Sequence, residues 1–346
     1  MSNSWTPAGS RVLNVGLIGL GAMGRNHLRV LRGLPDVNLA GVADVSEAAV
    51  GLAVSQSGAS GFLDPLAMIR DTGLDAIVIA TPTLTHMDLA LAAIEAGVPA
   101  LIEKPLASNP EEAASIASAA QAAGVPIQVG HIERFNPALL ELGRCLKDGW
   151  LSEVYAISSR RAGPMPVRIR DVGVTIDLAT HDVDILCWIA GERPLRVAAE
   201  TARRINEVHE DLLVGTMRFP SGTIGTLDVN WLTPTKRRAL TVLGAEGMFE
   251  LDYLTQRLTF TRAANLASPR MIGGFAPTFE GESIVVDVPT HEPLVAELRS
   301  FEEVVRTGRE PIVGAVDGQW AVVIADALLR SSVDGLSVGM ATGAHP

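Results

Sequence analysis

The sequence predicts an α/β protein in two parts: a doubly wound parallel sheet, then an α+β domain built on a mostly antiparallel open sheet. Three observations predict it. Through residue 130, short apolar runs alternate with helical patterns, as in parallel strands joined by crossover helices. The first such unit carries Gly19-Leu20-Gly21-Ala22-Met23-Gly24 between a strand pattern and a helix pattern. Beyond residue 130 the strand patterns crowd together, separated by short turn signals.

In order, the apolar run at 12–18 predicts a strand, 22–33 a helix and 39–44 a second strand ending in Asp44. This is a dinucleotide-binding βαβ pattern. Its first glycine permits the tight turn, Gly21 lets the backbone approach a pyrophosphate, Gly24 lets helix and strand pack closely, and the helix N-terminus faces the phosphate charge. Asp44, about 20 residues on, is placed to accept from a ribose 2′-hydroxyl, and Val45-Ser46-Glu47 offer no cation for a 2′-phosphate, so NAD is expected over NADP. Helices follow at 47–56 and 65–70, with a short element near 61–63 between them. The run 75–80 is apolar throughout, as a strand covered on both faces must be, and stops at Thr81-Pro82 on the edge where ligands sit. A helix at 85–96, a strand at 98–102, a helix at 110–123 with Asn109 as N-cap and Pro110 at N1, and a strand at 127–130 complete six parallel strands.

Strands at 153–161, 195–202, 212–219, 222–231, 238–243 and 248–252 then suggest the antiparallel sheet, with Pro220-Ser221-Gly222 and Ala245-Glu246-Gly247 as turns. Residues 262–282 read as a long loop, and helices at 293–307 and 315–331 close the chain. The domains are expected at 11–131 (dinucleotide-binding) and 132–335 (substrate-binding and oligomerisation).

Composition narrows the function. A chain of 346 residues, 47% hydrophobic and 19% charged, suits two cores. No apolar run is long enough to span a bilayer and no signal peptide is evident, so a cytoplasmic protein is expected. The net charge of −11 argues against nucleic-acid or anionic-membrane partners. Cys145 and Cys187 fall in helical patterns without metal-ligand spacing, so reduced core thiols are expected.

Three constellations carry chemistry. Glu103-Lys104-Pro105 follows the fifth strand on the cofactor edge, where an ammonium beside nicotinamide stabilises alkoxide character as hydride leaves; a surface lysine is the plain alternative. Asp177, His181 and Asp184, at i, i+4 and i+7, share one face of an expected helix, the pattern of a carboxylate-oriented proton acceptor or of an interior histidine. With no second His or Cys nearby, no metal is expected. Arg160, Arg161, Arg168 and Arg170 fall within eleven residues, suited either to phosphate contact or to pairing with the chain's own carboxylates.

These residues, in this order and at these separations, make the sequence resemble the Gfo/Idh/MocA oxidoreductases across nearly the whole chain. The resemblance implies an N-terminal Rossmann domain, a C-terminal domain whose open sheet serves oligomerisation, and a substrate pocket lined by Lys104, Asp177 and His181. It also implies a cofactor site of Gly19, Gly21, Ala22, Met23, Gly24, Asp44, Thr81, Pro82, Glu103 and Lys104. The stretches Gly130-His131-Ile132-Glu133-Arg134-Phe135-Asn136-Pro137 and 161–184 look like the UDP-N-acetylglucosamine 3-dehydrogenase branch, implying Arg134, Arg161, Arg168 and Arg170 as substrate ligands. The expected activity is NAD-dependent oxidation of a sugar hydroxyl, at C3 of a UDP-linked amino sugar, in a homodimer or homotetramer. An inositol, polyol or free-sugar dehydrogenase is the alternative, and a non-catalytic NAD(H)-binding regulator a further one. Lys104 and His181 are interchangeable as principal acid/base at this stage.

Overall fold

The computed structural model describes residues 5–71, 73–166, 172–263, 270–272, 276–278 and 281–340. The chain forms two compact units: residues 1–132 with 292–323, and residues 133–291 with 324–346.

In the first unit, β1 (Leu13–Ile18), β2 (Val37–Ala43), β3 (Ser60–Phe62), β4 (Ala76–Ile79), β5 (Ala100–Glu103) and β6 (Ile127–Gly130) form one sheet in the order β3-β2-β1-β4-β5-β6, parallel throughout. This is the doubly wound order, whose reversal between β1 and β4 marks the ligand-binding crevice. β4 and β5 are buried at every position, which is why their sequences show no alternation. Between strands lie α1 (Ala22–Leu31), α2 (Glu47–Ser57), α3 (Pro65–Asp71), α4 (His86–Glu95) and α5 (Pro110–Ala123). Asn109 caps α5 by accepting from Glu112 N–H at 2.9 Å, with Pro110 in the first turn.

The second unit opens with α6 (Pro137–Lys147) and β7 (Val154–Pro164), followed by a π-helical turn at Thr175–Ala179 and α7 (Thr180–Ala190). β8 (Arg196–Ala202), β9 (Leu212–Arg218), β10 (Ile224–Asn230), β11 (Leu232–Gly244), β12 (Gly247–Asp252) and β13 (Arg257–Arg262) complete most of its large sheet. Two short strands, β14 (Arg270–Ile272) and β15 (Ala276–Thr278), pair separately inside the stretch expected to be loop. β16 (Ser283–Val286), which the sequence reading missed, adds to β13 at one edge. The nine-stranded order is β16-β13-β12-β11-β7-β10-β9-β8, with Val338–Gly339 at the far edge; β10 and β7 run parallel and all other pairs antiparallel. No helix among the described residues is long and apolar enough to cross a membrane.

The linear domain boundary does not describe this partition. After β16, α8 (Pro293–Thr307) packs with the first unit, where Leu294, Leu298, Phe301 and Val305 join Leu13, Val15, Leu17 and Leu28 in one apolar cluster. Their spacing of 4, 3 and 4 makes one stripe along a helix, so α8 covers a face of the parallel sheet. The last helix, α9 (Ala315–Asp334), begins in this unit and ends in the other. Phe301→Ala is expected to lower stability by about 3–5 kcal/mol, the usual cost of emptying an aromatic core site. Denaturant unfolding measures it, and a loss below about 1 kcal/mol would remove α8 from the core.

Candidate active site

Four strand ends on one edge of the parallel sheet carry the expected cofactor residues. Gly19 leaves β1 at φ +91°, and a Cβ there would lie 2.5 Å from Ala80 O. A Cβ on Gly24 would meet Gly19 O at 1.8 Å, so α1 rests directly on the strand exit. Gly21 faces open space, the cradle that a pyrophosphate needs. Gly21 caps α1 without a side chain, and its first turn, starting with Ala22 and Met23, holds no acid, so nothing of the chain's own competes with an anion at that N-terminus. Asp44 binds this loop directly: Leu20 N–H donates to Oδ2 at 2.7 Å and Ser46 N–H to Oδ1 at 2.9 Å. The residues present therefore fit a dinucleotide.

Thr81 and Pro82 follow β4. Thr81 also takes part in a bridge that sequence reading missed: His86, buried at the start of α4, has Nδ1 2.9 Å from Pro105 O and Nε2 3.1 Å from Thr81 O. It ties the loop after β4 to the loop after β5. Burial lowers its pKa, more than these carbonyl contacts raise it, so the ring is neutral and one nitrogen at a time donates.

Glu103 does not do what was expected of it. Its carboxylate turns inward, 8% exposed, taking His27 Nε2 at 2.7 Å and, weakly, Lys104 N–H at 3.2 Å. Gly130 on the neighbouring strand makes the room, since a Cβ there would fall 2.9 Å from Glu103 Oε2. Glu103 thus contacts the backbone N–H of half-buried Lys104 while its other oxygen meets His27. Beneath it, Glu297 of α8 is fully buried; burial and then the charge of Glu103 raise its pKa well above the carboxylate range, so it is neutral.

In the second unit, Asp177 sits half-buried in the π turn and His181, 8% exposed, in the first turn of α7. Asp177 thus lies in a π turn and His181 and Asp184 in the α-helix that continues it, where the sequence reading expected one uninterrupted helix. Asp184 instead points inward, 3.1 Å from Arg134 Nε. Glu210 tethers the start of this segment, accepting from Thr175 N–H at 3.0 Å.

The arginines also depart from expectation. Arg161, 1% exposed, donates to Asp182 Oδ2 at 2.9 Å and to Glu133 Oε1 at 2.7 Å. Arg134, equally interior, pairs with Asp184 and lies 4.9 Å from the Trp188 ring. Both are spent on internal carboxylates, because a guanidinium cannot be left unpaired at such burial. Arg160 faces outward, 3.0 Å from Asp228. Arg168 and Arg170 lie outside the described residues.

With this geometry in place, known proteins become informative. Residues 13–131 match the oxidoreductase family with an NAD-binding Rossmann fold, GFO_IDH_MocA, and residues 139–250 match the GFO/IDH/MocA C-terminal domain. The chain belongs to the Gfo/Idh/MocA family. It is 36% identical to an inositol 2-dehydrogenase of Saccharopolyspora erythraea over 197 residues, which is 56% of this chain and 58% of that protein, little more than half of each. It is 26% identical to a UDP-N-acetylglucosamine 3-dehydrogenase of Acidithiobacillus ferrooxidans over 309 residues, 89% of this chain and 93% of the other. A solved structure of UDP-N-acetylglucosamine 3-dehydrogenase from that organism shares the fold, with TM-score 0.82 at 24% identity, covering 92% of this chain and 97% of that one. This Gfo/Idh/MocA protein is therefore an NAD-dependent oxidoreductase from a family of sugar and polyol dehydrogenases.

Two expectations follow. The Gfo/Idh/MocA chain should bind NAD more tightly than NADP, and Asp44→Ala should narrow the gap; fluorescence titration showing wild-type preference for NADP would sink the Asp44 argument. The second concerns Asp184, whose pKa burial pushes up to about 6 against the pull of Arg134. A raised carboxylate destabilises the fold as pH climbs from its unfolded value near 3.8 to about 6, then no further. Unfolding free energy of wild type relative to Asp184→Asn should fall by on the order of 3 kcal/mol across that window. A difference independent of pH would show Asp184 to be charged throughout.

Proposed function

We propose that the chain oxidises a secondary hydroxyl of a sugar or cyclic polyol to a ketone. NAD supplies the hydride acceptor, nicotinamide C4. The observation that carries this reading is the placing of Lys104 at the end of β5, on the same sheet edge as the glycine loop and Asp44, with its backbone tied to Glu103. In the reaction His181 takes the hydroxyl proton, Lys104 polarises the oxygen and Asp177 orients the imidazole or a neighbouring hydroxyl, while the carbon gives up its hydrogen with both electrons.

For the substrate, the internal pairing of Arg134 and Arg161 favours an uncharged cyclic polyol or free sugar, because it removes two of the four cations proposed to meet a diphosphate. The partial likeness to an inositol 2-dehydrogenase supports this reading. A UDP-linked amino sugar oxidised at C3 is the second reading, supported by the likeness to UDP-N-acetylglucosamine 3-dehydrogenase along most of the chain and left with Arg168 and Arg170 as phosphate ligands. We further propose assembly as a homodimer or homotetramer through the outer face of the nine-stranded sheet, where Val214, Ile224, Leu243 and Val285 are exposed.

NADH appearance at 340 nm across inositols, free aldoses and UDP-sugars decides the substrate: reduction of NAD by UDP-sugars alone would overturn the polyol reading. Lys104→Ala and His181→Ala should each lower turnover roughly 100- to 10,000-fold with NAD affinity nearly unchanged. Near-normal turnover in His181→Ala would pass the proton to Lys104.

A further inference from the structure

His181 is followed by two buried carboxylates, and both are held by arginines. Asp182 is fully buried, with Ser159 Oγ donating to Oδ1 at 2.7 Å and Arg161 Nε to Oδ2 at 2.9 Å. Arg161 reaches on to Glu133, which also has Arg238 Nη1 3.5 Å away, and its guanidinium lies 5.5 Å from the Tyr253 ring centroid. Asp184 pairs with Arg134. Adjacent residues of one short turn, Glu133 and Arg134, thus grip Asp182 and Asp184 of α7, one through Arg161 and one directly.

Such a lattice is a poor way to gain stability. Desolvating ions costs about as much as their attraction returns, and apolar side chains of equal volume would hold the helix as well or better. What apolar residues cannot supply is fixed charge. Asp182 stands one residue from the imidazole in a setting of low dielectric, where an uncompensated carboxylate would hold a proton on His181.

We infer that Arg161 is a positioning residue for His181: it pins the first turn of α7 through Asp182 and cancels that carboxylate's charge, keeping the imidazole neutral and able to accept a proton. The inference rests on His181 being the base. Among the described residues of this unit, the charged and titratable groups set around α7 include Asp177, Asp182, Asp184 and Cys187 of its own segment, Glu210 at its start, Arg161 of β7, Glu133 and Arg134 of the turn, Arg238 of β11, and Tyr253 after β12. Burial keeps the Tyr253 hydroxyl neutral. Burial first, then repulsion from Arg161, lowers the pKa of Arg238, which stays a cation; Arg161 is singled out by geometry, since its Nε donates to Asp182 Oδ2.

The test is the pH dependence of kcat/KM for the best substrate of the panel, in variants whose folding is checked by circular dichroism. Arg161→Met removes the cation paired with Asp182, so the acid limb should move up by on the order of one pH unit. Asp182→Asn removes the negative charge and should move it down. Arg161→Lys keeps the charge but cannot fork between two carboxylates, so the limb should stay in place while kcat falls several-fold and KM holds. If Arg161→Met does not fold, a lowered limb in Asp182→Asn beside an unmoved limb in Arg161→Lys still decides. A limb at the wild-type pH in Asp182→Asn, with His181→Ala inactive, overturns the inference and leaves the base assignment standing. Normal turnover in His181→Ala removes the base assignment itself and this inference with it.

Discussion

The contact on which the first unit depends is the approach of α1 to the exit of β1, where Gly24 lies against Gly19 so tightly that a single added carbon would sit 1.8 Å from a backbone oxygen. This fixes the helix in both height and rotation. Fixed height leaves the N-terminus of α1 at the sheet edge, beside a loop whose Leu20 N–H is held by Asp44. Fixed rotation turns His27, three residues further along, into the interior, where it meets Glu103. Glu103 in turn holds the N–H of Lys104. One glycine contact thereby connects the phosphate-binding turn to the strand end that carries the lysine.

The second unit is organised by charge. The helix that carries His181 is set by carboxylate–guanidinium pairs at Asp182 and Asp184 and by the Glu210 tether at its start. Buried ions are costly to leave unpaired, and here Arg161 hydrogen-bonds Asp182 while Arg134 meets Asp184 as an ion pair. The π turn at Thr175–Ala179 is a local irregularity of the kind that often re-aims a side chain at a functional site, and Asp177 lies in it.

A division of labour follows. The parallel sheet brings backbone N–H groups, the Asp44 carboxylate and a lysine to its carboxyl edge, a set that suits a dinucleotide. The other unit spends its interior arginines on holding its own helix.

The sequence by itself determined what short-range pattern controls. Strand and helix alternation, the glycine fingerprint, Asp44 at the end of β2 and the Asn109 cap were all legible, because each depends on neighbours within one turn or one strand. What only the tertiary structure decided was which long-range partner each polar side chain meets. Arg161 read equally as a phosphate contact or as a partner of the chain's own carboxylates, and the sequence could not choose for it or for Arg134 because the partners, Asp182 and Asp184, lie 21 and 50 residues away. Glu103 read as a cofactor ligand because nothing local reveals that His27 waits on the far side of the strand and Gly130 leaves room for the carboxylate to turn. β16 was too short and too weakly alternating to register, and the stripe on α8 announced a buried face without saying which sheet it would cover. Periodicity specifies that a residue is inside; only the folded chain specifies against what, because burial of a charge is settled by pairing across space.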